Sequence, residues 1–252
     1  MLRVMLRVML RVMLRVMLRV GCVSALAYAL APILSAQQCG NPCYPDGSPP
    51  YCGESCTWVW NSTSCSWQEE PYSPSPIVID TDGTGFHLTS AADGVMFDFY
   101  GDGKPIQIAW TAKGSTNGWL ALPKDGKITS ARDLFGNITA QALTSKHPPN
   151  GFAALAIYDT PAYGGNNNGA IDPGDAIWPS LRIWIDANHD GIAQPAELHQ
   201  LGEFGILGFR LQYEQSRYTD QYGNQFRYKG RLVPVRGDDV DRRIFDVTLT
   251  TQ

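Results

Sequence analysis

The twelve residues from Asp186 to Glu197 constrain the fold of this chain more than any other stretch. Oxygen-bearing side chains stand at its first, third and fifth positions, which are Asp186, Asn188 and Asp190, and the twelfth position is Glu197. With a glycine at the sixth position, this is the ligand spacing of a calcium loop. The backbone carbonyl of Ile192, at the seventh position, is a further predicted ligand. We call this segment loop A.

Loop A departs from the EF-hand pattern at one position. EF-hand loops carry an aliphatic residue at the eighth position, where paired loops form a short β-bridge, but here that position is Ala193 and the aliphatic residue is Ile192. The ligands are intact, whereas EF-hand pairing with another loop is not assured. The alternative interpretation is a polar turn without metal, because Asp, Asn and Gly also form turns by themselves.

A second oxygen-rich segment, loop B, precedes loop A. Its first position falls on Gly164, which has no side chain to donate, so Asp159 is the expected substitute if residues 160–164 loop out. The other predicted ligands, at the third, fifth, ninth and twelfth positions, are Asn166, Asn168, Asp172 and Asp175. The two loops flank a strand predicted over Leu181–Ile185, so we expect them to be neighbours in space.

A third oxygen-rich turn contains Asp80, Asp82 and Gly83, with Asp98 or Asp102 as further donors. We interpret it as a turn that ends a strand rather than as a metal site. Asp and Gly are common turn residues.

Composition indicates one substantial domain with a small appendage. The chain has 252 residues, a net charge of −4 and 44% hydrophobic residues. Its 20 Lys and Arg residues form no dense cluster, so we expect no nucleic-acid partner. We divide the chain into an N-terminal repeat and signal peptide (1–36), a Cys-rich segment (37–72) and a calcium-binding domain (73–252).

The N-terminus predicts export. Five copies of Met-Leu-Arg-Val fill residues 1–20, and an apolar run from Val20 to Leu34 then ends at Ser35-Ala36. This is the pattern of a signal peptide, which predicts Gln37 as the first mature residue. Retention of the apolar run as an anchor is the alternative and would be the chain's one membrane contact. We therefore expect a secreted, periplasmic or cell-surface bacterial protein, with an extracellular or surface partner that the sequence does not identify.

Five cysteines repeat in the segment from residue 37 to residue 72. They are Cys39, Cys43, Cys52, Cys56 and Cys65. Export favours disulfide bonds over zinc, and the odd number leaves one cysteine free or paired between molecules. Three tryptophans of the same segment would pack around disulfides or, alternatively, stack on sugars.

The hydrophobic pattern predicts an α+β fold of short strands and hairpins with a few short helices around the calcium loops. Expected strands and ribbons cover 77–79, 95–98, 106–110, 119–122, 181–185, 208–213, 225–235 and 245–250. Helices are predicted from Gly151 to Tyr158, with Asn150 as N-cap, from Asp172, and from Gln194 to Glu203.

No motif for catalysis stands out. The four histidines, His87, His147, His189 and His199, belong to no recognisable triad or metal motif, and GxSxG, HExxH and P-loop sequences are absent. We therefore expect no enzyme activity.

Four segments together resemble a bacterial family. They are Ser75–Gly83, Asp133–Asn137, Asn150–Leu155 and Leu181–Asn188. Their order is similar to that of the calcium-binding self-processing module of iron-regulated RTX proteins, and closer still to that of exported EF-hand-containing proteins of soil bacteria. The resemblance covers roughly Ser75 to Phe209.

The resemblance also has consequences for cleavage. In self-processing members, an Asp-Pro bond before the first strand is cut. Here Ser75-Pro76 occupies that place, and serine lacks the carboxylate that would attack its own peptide carbonyl. We thus expect an exported calcium-binding protein in which calcium is structural and catalysis is absent. The alternatives are a calcium-dependent Asp-Pro cleaving module and a surface adhesin or carbohydrate-binding module.

Overall fold

The computed structural model describes residues 56–61, 66–71, 73–141, 148–234 and 242–252. The signal-peptide prediction lies outside these residues, and the cysteine side chains, whose bonds were predicted, are not described either. The chain divides into two compact units, Met1–Glu70 and Pro71–Gln252. Strands β1 (Cys56–Asn61) and β2 (Ser66–Pro71) form a two-stranded sheet of their own.

An eight-stranded sheet dominates the described part of the second unit. Its strand order is β7-β10-β11-β12-β3-β6-β8-β9, and every neighbouring pair is antiparallel. The strands are β3 (Ile77–Asp80), β6 (Asn117–Ala121), β7 (Ala170–Ile171), β8 (Arg182–Trp184), β9 (Leu198–His199), β10 (Ile206–Thr219), β11 (Gln225–Pro234) and β12 (Ile244–Thr248). Strands β4 (Val95–Phe97) and β5 (Ile106–Ile108) form a separate hairpin.

The sheet separates two hydrophobic cores. Along β3, Val78 enters the first core while Ile77 and Ile79 enter the second, and along β6 Trp119 and Leu120 divide in the same way. This alternation follows from the two-residue period of a strand, whose successive side chains point to opposite faces. The first core is rich in tryptophan and phenylalanine, and the second is mainly aliphatic.

The prediction of an α+β fold is wrong, because the described residues are mostly β. Their one α-helix, α1 (Gly151–Ala156), has six residues and continues as a 3-10 turn over Ile157–Asp159. The Asn150 side chain caps α1 by accepting the Ala153 N–H, as predicted. Among the helices of the described residues, none is long and apolar enough to cross a membrane.

Two further predicted helices are replaced by turns. From Asp172 the chain forms turns up to a 3-10 turn at Trp178–Ser180. After Gln194 it makes a 3-10 turn at Pro195–Glu197 and, beyond β9, a second at Leu201–Phe204. The Glu197 side chain reaches back to the Gln194 N–H, and Leu198 is already extended because it begins β9. Pairing of β9 with β8 therefore overrides the local helical preference.

Candidate metal-binding loops

Loop A begins where β8 ends, and its first carboxylate organises the turn. Asp186 is 2% exposed. Its Oδ1 accepts the N–H groups of His189 at 2.7 Å and Asp190 at 3.1 Å, and its Oδ2 accepts the Gly191 N–H at 2.9 Å. His189 and Gly191 have φ angles of 64° and 72°, which bend the backbone around the carboxylate. The positive φ at the sixth position is the reason for a glycine there.

The third and fifth positions of loop A contact each other. Asn188 Oδ1 accepts the Asp190 N–H at 3.1 Å, and Asp190 Oδ1 accepts the Ile192 N–H at 2.8 Å. Asp190 Oδ2 accepts the side-chain amides of Asn188 and Gln194, both at 2.8 Å. Desolvation opposes ionisation of Asp190, but the hydrogen bonds from Ile192, Gln194 and Asn188 outweigh it and lower the pKa of this carboxyl.

The twelfth position closes loop A from within the core. Glu197 is 7% exposed, and its Oε1 accepts the Ala187 N–H at 3.1 Å. Its Oε2 accepts the Gln194 N–H at 3.2 Å. The first and last predicted ligands of loop A are therefore both buried carboxylates bonded to the backbone of the loop itself.

His189 attaches loop A to two other segments. Its Nδ1 lies 2.9 Å from the carbonyl oxygen of Thr111, and its Nε2 lies 2.9 Å from that of Asp93. This side chain, at a non-ligand position of the loop, thus holds the turn against the chain on either side of the β4–β5 hairpin.

Loop B repeats the bonding pattern of loop A. Asp159 Oδ1 accepts the Asn168 N–H at 3.0 Å, and its Oδ2 accepts the Gly169 N–H at 2.9 Å. Asn166 Oδ1 also accepts the Asn168 N–H, at 3.1 Å. Positive φ angles occur at Asn167 (56°) and Gly169 (79°), the fourth and sixth positions, as in loop A. The structure therefore places Asp159 in the role that Asp186 has in loop A.

Residues 160–164 form the insertion that allows Asp159 to take this role. Pro161–Tyr163 makes a 3-10 turn, and the Gly165 N–H then bonds back to the Thr160 carbonyl at 2.9 Å. The Asn167 N–H bonds to the Asp159 carbonyl at 2.8 Å. Residues 160–164 thus loop out, and the residues that follow them bond back to Asp159 and Thr160.

The far end of loop B is closed by Asp175. Its Oδ1 accepts the Asn166 N–H at 3.2 Å, and its Oδ2 accepts the Asp172 N–H at 2.8 Å. Asp172 Oδ1 accepts the Gly174 N–H at 2.8 Å, and its Oδ2 accepts the side-chain amide of Asn168 at 2.9 Å. Asp159 and Asp175 are 5% and 2% exposed, so loop B also has buried carboxylates at its first and twelfth positions.

The two loops adjoin opposite edges of the sheet, so the strand order does not bring them together as the sequence predicts. Strand β7 lies within loop B and β9 directly follows loop A, and these are the two end strands of the sheet order. Ile171, the eighth residue of loop B, pairs with Phe209 of β10. Ala193, its counterpart in loop A, packs against the first core. Ile171 thus has a partner on β10 instead of the EF-hand type of β-bridge between loops.

The buried carboxylates of the two loops differ from the other buried carboxylates of the described structure in their ion-pair partners. Seven Asp and Glu residues are buried there: Asp80, Asp133, Asp159, Asp175, Asp186, Glu197 and Asp246. Three of them have a cationic side chain nearby, because Asp80 pairs with Arg243, Asp133 pairs with Lys124, and Arg227 acts on Asp246. Among the described residues, the salt bridges include none to the other four, which are the first and twelfth positions of the two loops.

The donor set of each loop fits a hard cation, because it consists of carboxylate, amide and carbonyl oxygens. Within the described residues, no three His, Cys, Asp or Glu side chains converge in a metal-binding group. In loop A the side-chain amide of Asn188 donates to Asp190 Oδ2 at 2.8 Å, so two predicted ligands bond to each other. An ion would have to replace that bond and the Asn168–Asp172 bond of loop B.

The third oxygen-rich turn is closed by arginine. Asp80 accepts the N–H groups of Gly83 and Gly85, each at 3.0 Å, and its Oδ2 lies 3.3 Å from the Arg243 guanidinium. Burial raises the pKa of Asp80, although the Gly85 N–H and Arg243 favour its charged form. A guanidinium therefore already stands beside this carboxylate, in agreement with a turn that ends a strand.

A buried hydrogen-bonded cluster around Ser75 was not predicted from the sequence. Ser75 Oγ donates to Asp246 Oδ2 at 3.1 Å, and the Gly151 N–H donates to the same oxygen at 2.7 Å. Asn137 Oδ1 accepts the Ser75 N–H at 2.8 Å, while its Nδ2 donates to the Ser73 carbonyl at 3.1 Å. The segments Asp133–Asn137 and Asn150–Leu155, noted above for their resemblance to a family, thus meet at the peptide that precedes β3.

Asp246 itself is fully buried on β12. Burial raises its pKa to about 7, against the lowering effects of Arg227, the Gly151 N–H and Ser75. In the sequence it is a single aspartate between Phe245 and Val247, and the only signal was its place in an apolar strand.

Comparisons with known proteins find a matching family and a relative. The sequence model of the SPM domain matches residues 77–250. Iron-regulated protein FrpA of Neisseria meningitidis serogroup C is 32% identical over 168 residues. The match covers 64% of this chain and 14% of that protein, so it spans a small part of the length of the relative.

Proposed function

The chain belongs to the SPM domain family and is related to the self-processing module of FrpA-like proteins, and from this premise we propose that it is an exported calcium-binding domain whose calcium is structural and which carries out no catalysis. Loops A and B are the proposed sites. The ligands are Asp186, Asn188, Asp190, Ile192 and Glu197 in loop A, and Asp159, Asn166, Asn168, Asp172 and Asp175 in loop B.

The observation that carries the proposal is the pairing of buried carboxylates. Each loop buries one at its first and one at its twelfth position, and none of these four has a cationic side chain among the salt bridges of the described residues. A buried, unpaired charge costs several kcal/mol unless a counter-ion or metal compensates it. One divalent cation in each loop would supply that compensation.

Calcium in this role would stabilise the fold and take part in no reaction. It would hold together loops whose carboxylates otherwise repel each other, and it would fix both ends of the sheet. Extracellular calcium modules bind on the order of 10⁻⁴–10⁻³ M, and we expect affinities in that range.

Calorimetric titration of the mature chain with calcium tests the proposal. We expect two sites in the wild type, one in Glu197→Gln, one in Asp175→Asn and none in the double variant. Glu214→Gln is the matched control, because Glu214 is an exposed residue of β10 outside both loops. A wild-type titration without binding heat, together with an unchanged melting curve, would refute a calcium function.

Calcium-dependent self-cleavage is the second candidate function. The hydrogen-bonded cluster around Ser75 favours it, because an acidic group, Asp246, lies within hydrogen-bond distance of the side chain that precedes Pro76. Against it stands Ser75, which lacks the carboxylate expected at this position. Mass spectrometry after incubation with calcium separates the two candidates, since only the second yields fragments.

The adhesin or carbohydrate-binding alternative depends on the tryptophans of the first unit. Trp58, Trp60 and Trp67 lie on β1 and β2, and their side chains are outside the described structure. Binding of the mature protein to a glycan array would support this alternative.

A further inference from the structure

Three tryptophans of the first core form one cluster of tilted and edge-to-face rings. Trp110, Trp119 and Trp184 are all fully buried. The ring centroids of Trp110 and Trp119 are 4.8 Å apart, and those of Trp110 and Trp184 are 5.3 Å apart. Phe97 packs against both Trp110 and Trp184, at 5.1 and 5.7 Å. The rings fix one another, so the indole N–H groups have fixed positions and directions.

Two of these indoles contact the buried carboxylates of loop A. Trp110 Nε1 donates to Asp186 Oδ2 at 2.8 Å, and Trp184 Nε1 donates to Glu197 Oε2 over a longer 3.4 Å. Trp119 differs, because its Nε1 is buried and has no hydrogen-bond partner among the described residues. The first and last positions of loop A are therefore joined to the core through indoles that lie outside the loop's predicted ligand set.

Loop B has a different support. The bonds of the described residues to the carboxylates of Asp159 and Asp175 come from backbone N–H groups of the loop itself. The two loops thus share one turn geometry but differ in what holds their carboxylates from behind.

Hydrogen bonds from outside a coordination shell orient metal ligands, and their loss typically costs 10–100-fold in affinity. An indole donor in a packed core is well suited to this task, because it holds the carboxylate plane before the ion arrives. The entropy cost of ordering the carboxylate side chain is then no longer part of the free energy of calcium binding.

We propose that Trp110 and Trp184 are positioning residues of loop A, which hold the carboxylates of Asp186 and Glu197 in the orientation that a calcium ion requires. The inference rests on the proposed calcium function. It assigns a metal-related role to Trp110, a residue 76 positions before the carboxylate that it contacts. It also makes loop A the better ordered of the two sites.

The test compares Trp110→Phe with Trp119→Phe in the full mature chain. Both changes remove an indole from the same cluster, but only the first removes a hydrogen bond to a predicted ligand. Measured in the Asp175→Asn background, where loop A is the remaining site, Trp110→Phe should weaken calcium binding about 10–100-fold. Trp119→Phe should change it by less than about threefold, as expected for altered packing alone.

Two further measurements exclude a general loosening of the core. In the Glu197→Gln background, where loop B is the remaining site, Trp110→Phe should leave calcium affinity unchanged. Terbium, used as a luminescent substitute for calcium, should be sensitised by tryptophan excitation, and Trp110→Phe should reduce that emission more than Trp119→Phe does. Equal losses in the two variants, or a loss at loop B as large as at loop A, would overturn the inference.

Trp184→Phe keeps the test decisive if Trp110→Phe does not fold. We expect Trp184→Phe to lower the calcium affinity of loop A as well, but by less, because the bond from Trp184 to Glu197 is longer. An unchanged loop A affinity in this variant would refute the inference. If wild-type protein binds calcium but neither tryptophan matters, only the positioning role falls, whereas absence of calcium binding in the wild type removes the proposed function as well.

Discussion

Asp159 accepts the backbone N–H of Gly169 at 2.9 Å across a sequence separation of ten residues, whereas the equivalent bond in loop A, from Gly191 to Asp186, spans five. The difference is the five-residue excursion from Thr160 to Gly164. Loop B is therefore a twelve-position loop interrupted between its first two positions. The geometry of the site is preserved because the excursion returns the chain to Asp159.

Deletion of residues 160–164 should leave loop B able to bind calcium. It would join Asp159 directly to Gly165 and place Asp175 at the twelfth position of a continuous loop. The deleted residues are mostly exposed, and shortening a loop lowers its closure entropy. We expect calcium affinity within about tenfold of the wild-type value when measured by calorimetry in the Glu197→Gln background. Loss of all binding would show that Asp159 is not the first ligand.

Calcium should raise the melting temperature of the wild type. A ligand that binds only the folded state at ten times its dissociation constant contributes about 1.4 kcal/mol. Glu197→Gln should remove the contribution of loop A, because it takes away the negative charge of a buried predicted ligand. Thermal unfolding with and without calcium measures the rise in melting temperature. The control Glu214→Gln should show the same rise as the wild type. The same gain in Glu197→Gln as in the wild type would contradict the role of loop A.

Asp246 should make the domain less stable as the pH rises from about 4 to about 7. Its folded-state pKa is raised by burial from 3.8 to about 7, so the folded state binds a proton over this range that the unfolded state has released. The stability contribution is therefore complete below pH 4 and is lost as the pH approaches 7. A shift of this size corresponds to no more than about 4 kcal/mol.

Asp246→Asn should flatten this pH dependence and should leave the variant more stable than the wild type above pH 7. Denaturant unfolding at pH 5 and pH 8, without calcium, measures both stabilities. Asp220→Asn, which changes a carboxylate in a turn, serves as a control, and we expect its stability to change with pH as that of the wild type does. Parallel stability curves for Asp246→Asn and the wild type would show that Asp246 does not titrate in this range.

Wild-type protein should not cut itself. Incubated with calcium at neutral pH, it should give one mass at full mature length, because Ser75 offers no carboxylate to attack the peptide carbonyl before Pro76. Ser75→Asp should restore slow cleavage of that bond. A calcium-dependent break of the wild type at Ser75-Pro76 or at Asp172-Pro173 would make self-cleavage the first candidate function.

The sequence predicts individual strands, turns and caps of this chain better than it predicts the fold class. The strand at Ile77–Ile79, the β4–β5 hairpin and the Asn150 cap follow from local patterns, and the structure confirms them. The helix predicted after Gln194 is wrong because a short strand pairing with β8 decides the conformation there, and that partner is remote from a local pattern.

The same limit applies to the candidate sites. The ligand spacing of loop A is continuous in sequence and could be read directly. Trp110 and Asp246 reach their sites only through the fold, since Trp110 contacts a carboxylate 76 residues later and Asp246 contacts a serine 171 residues earlier. No spacing rule connects such residues, because strand order alone brings them together.

The short strands β7 and β9 also determine how the sheet meets other protein chains. An edge strand presents unpaired N–H and C=O groups on which a foreign strand can grow, and a two-residue edge bounded by a folded loop presents very few. Among the described residues, β7 covers only Phe209 and Arg210 of the 14-residue β10, so opening of loop B would free these two residues and lengthen the uncovered part of that strand. The order of loop B therefore limits the length of edge on which a foreign strand could grow.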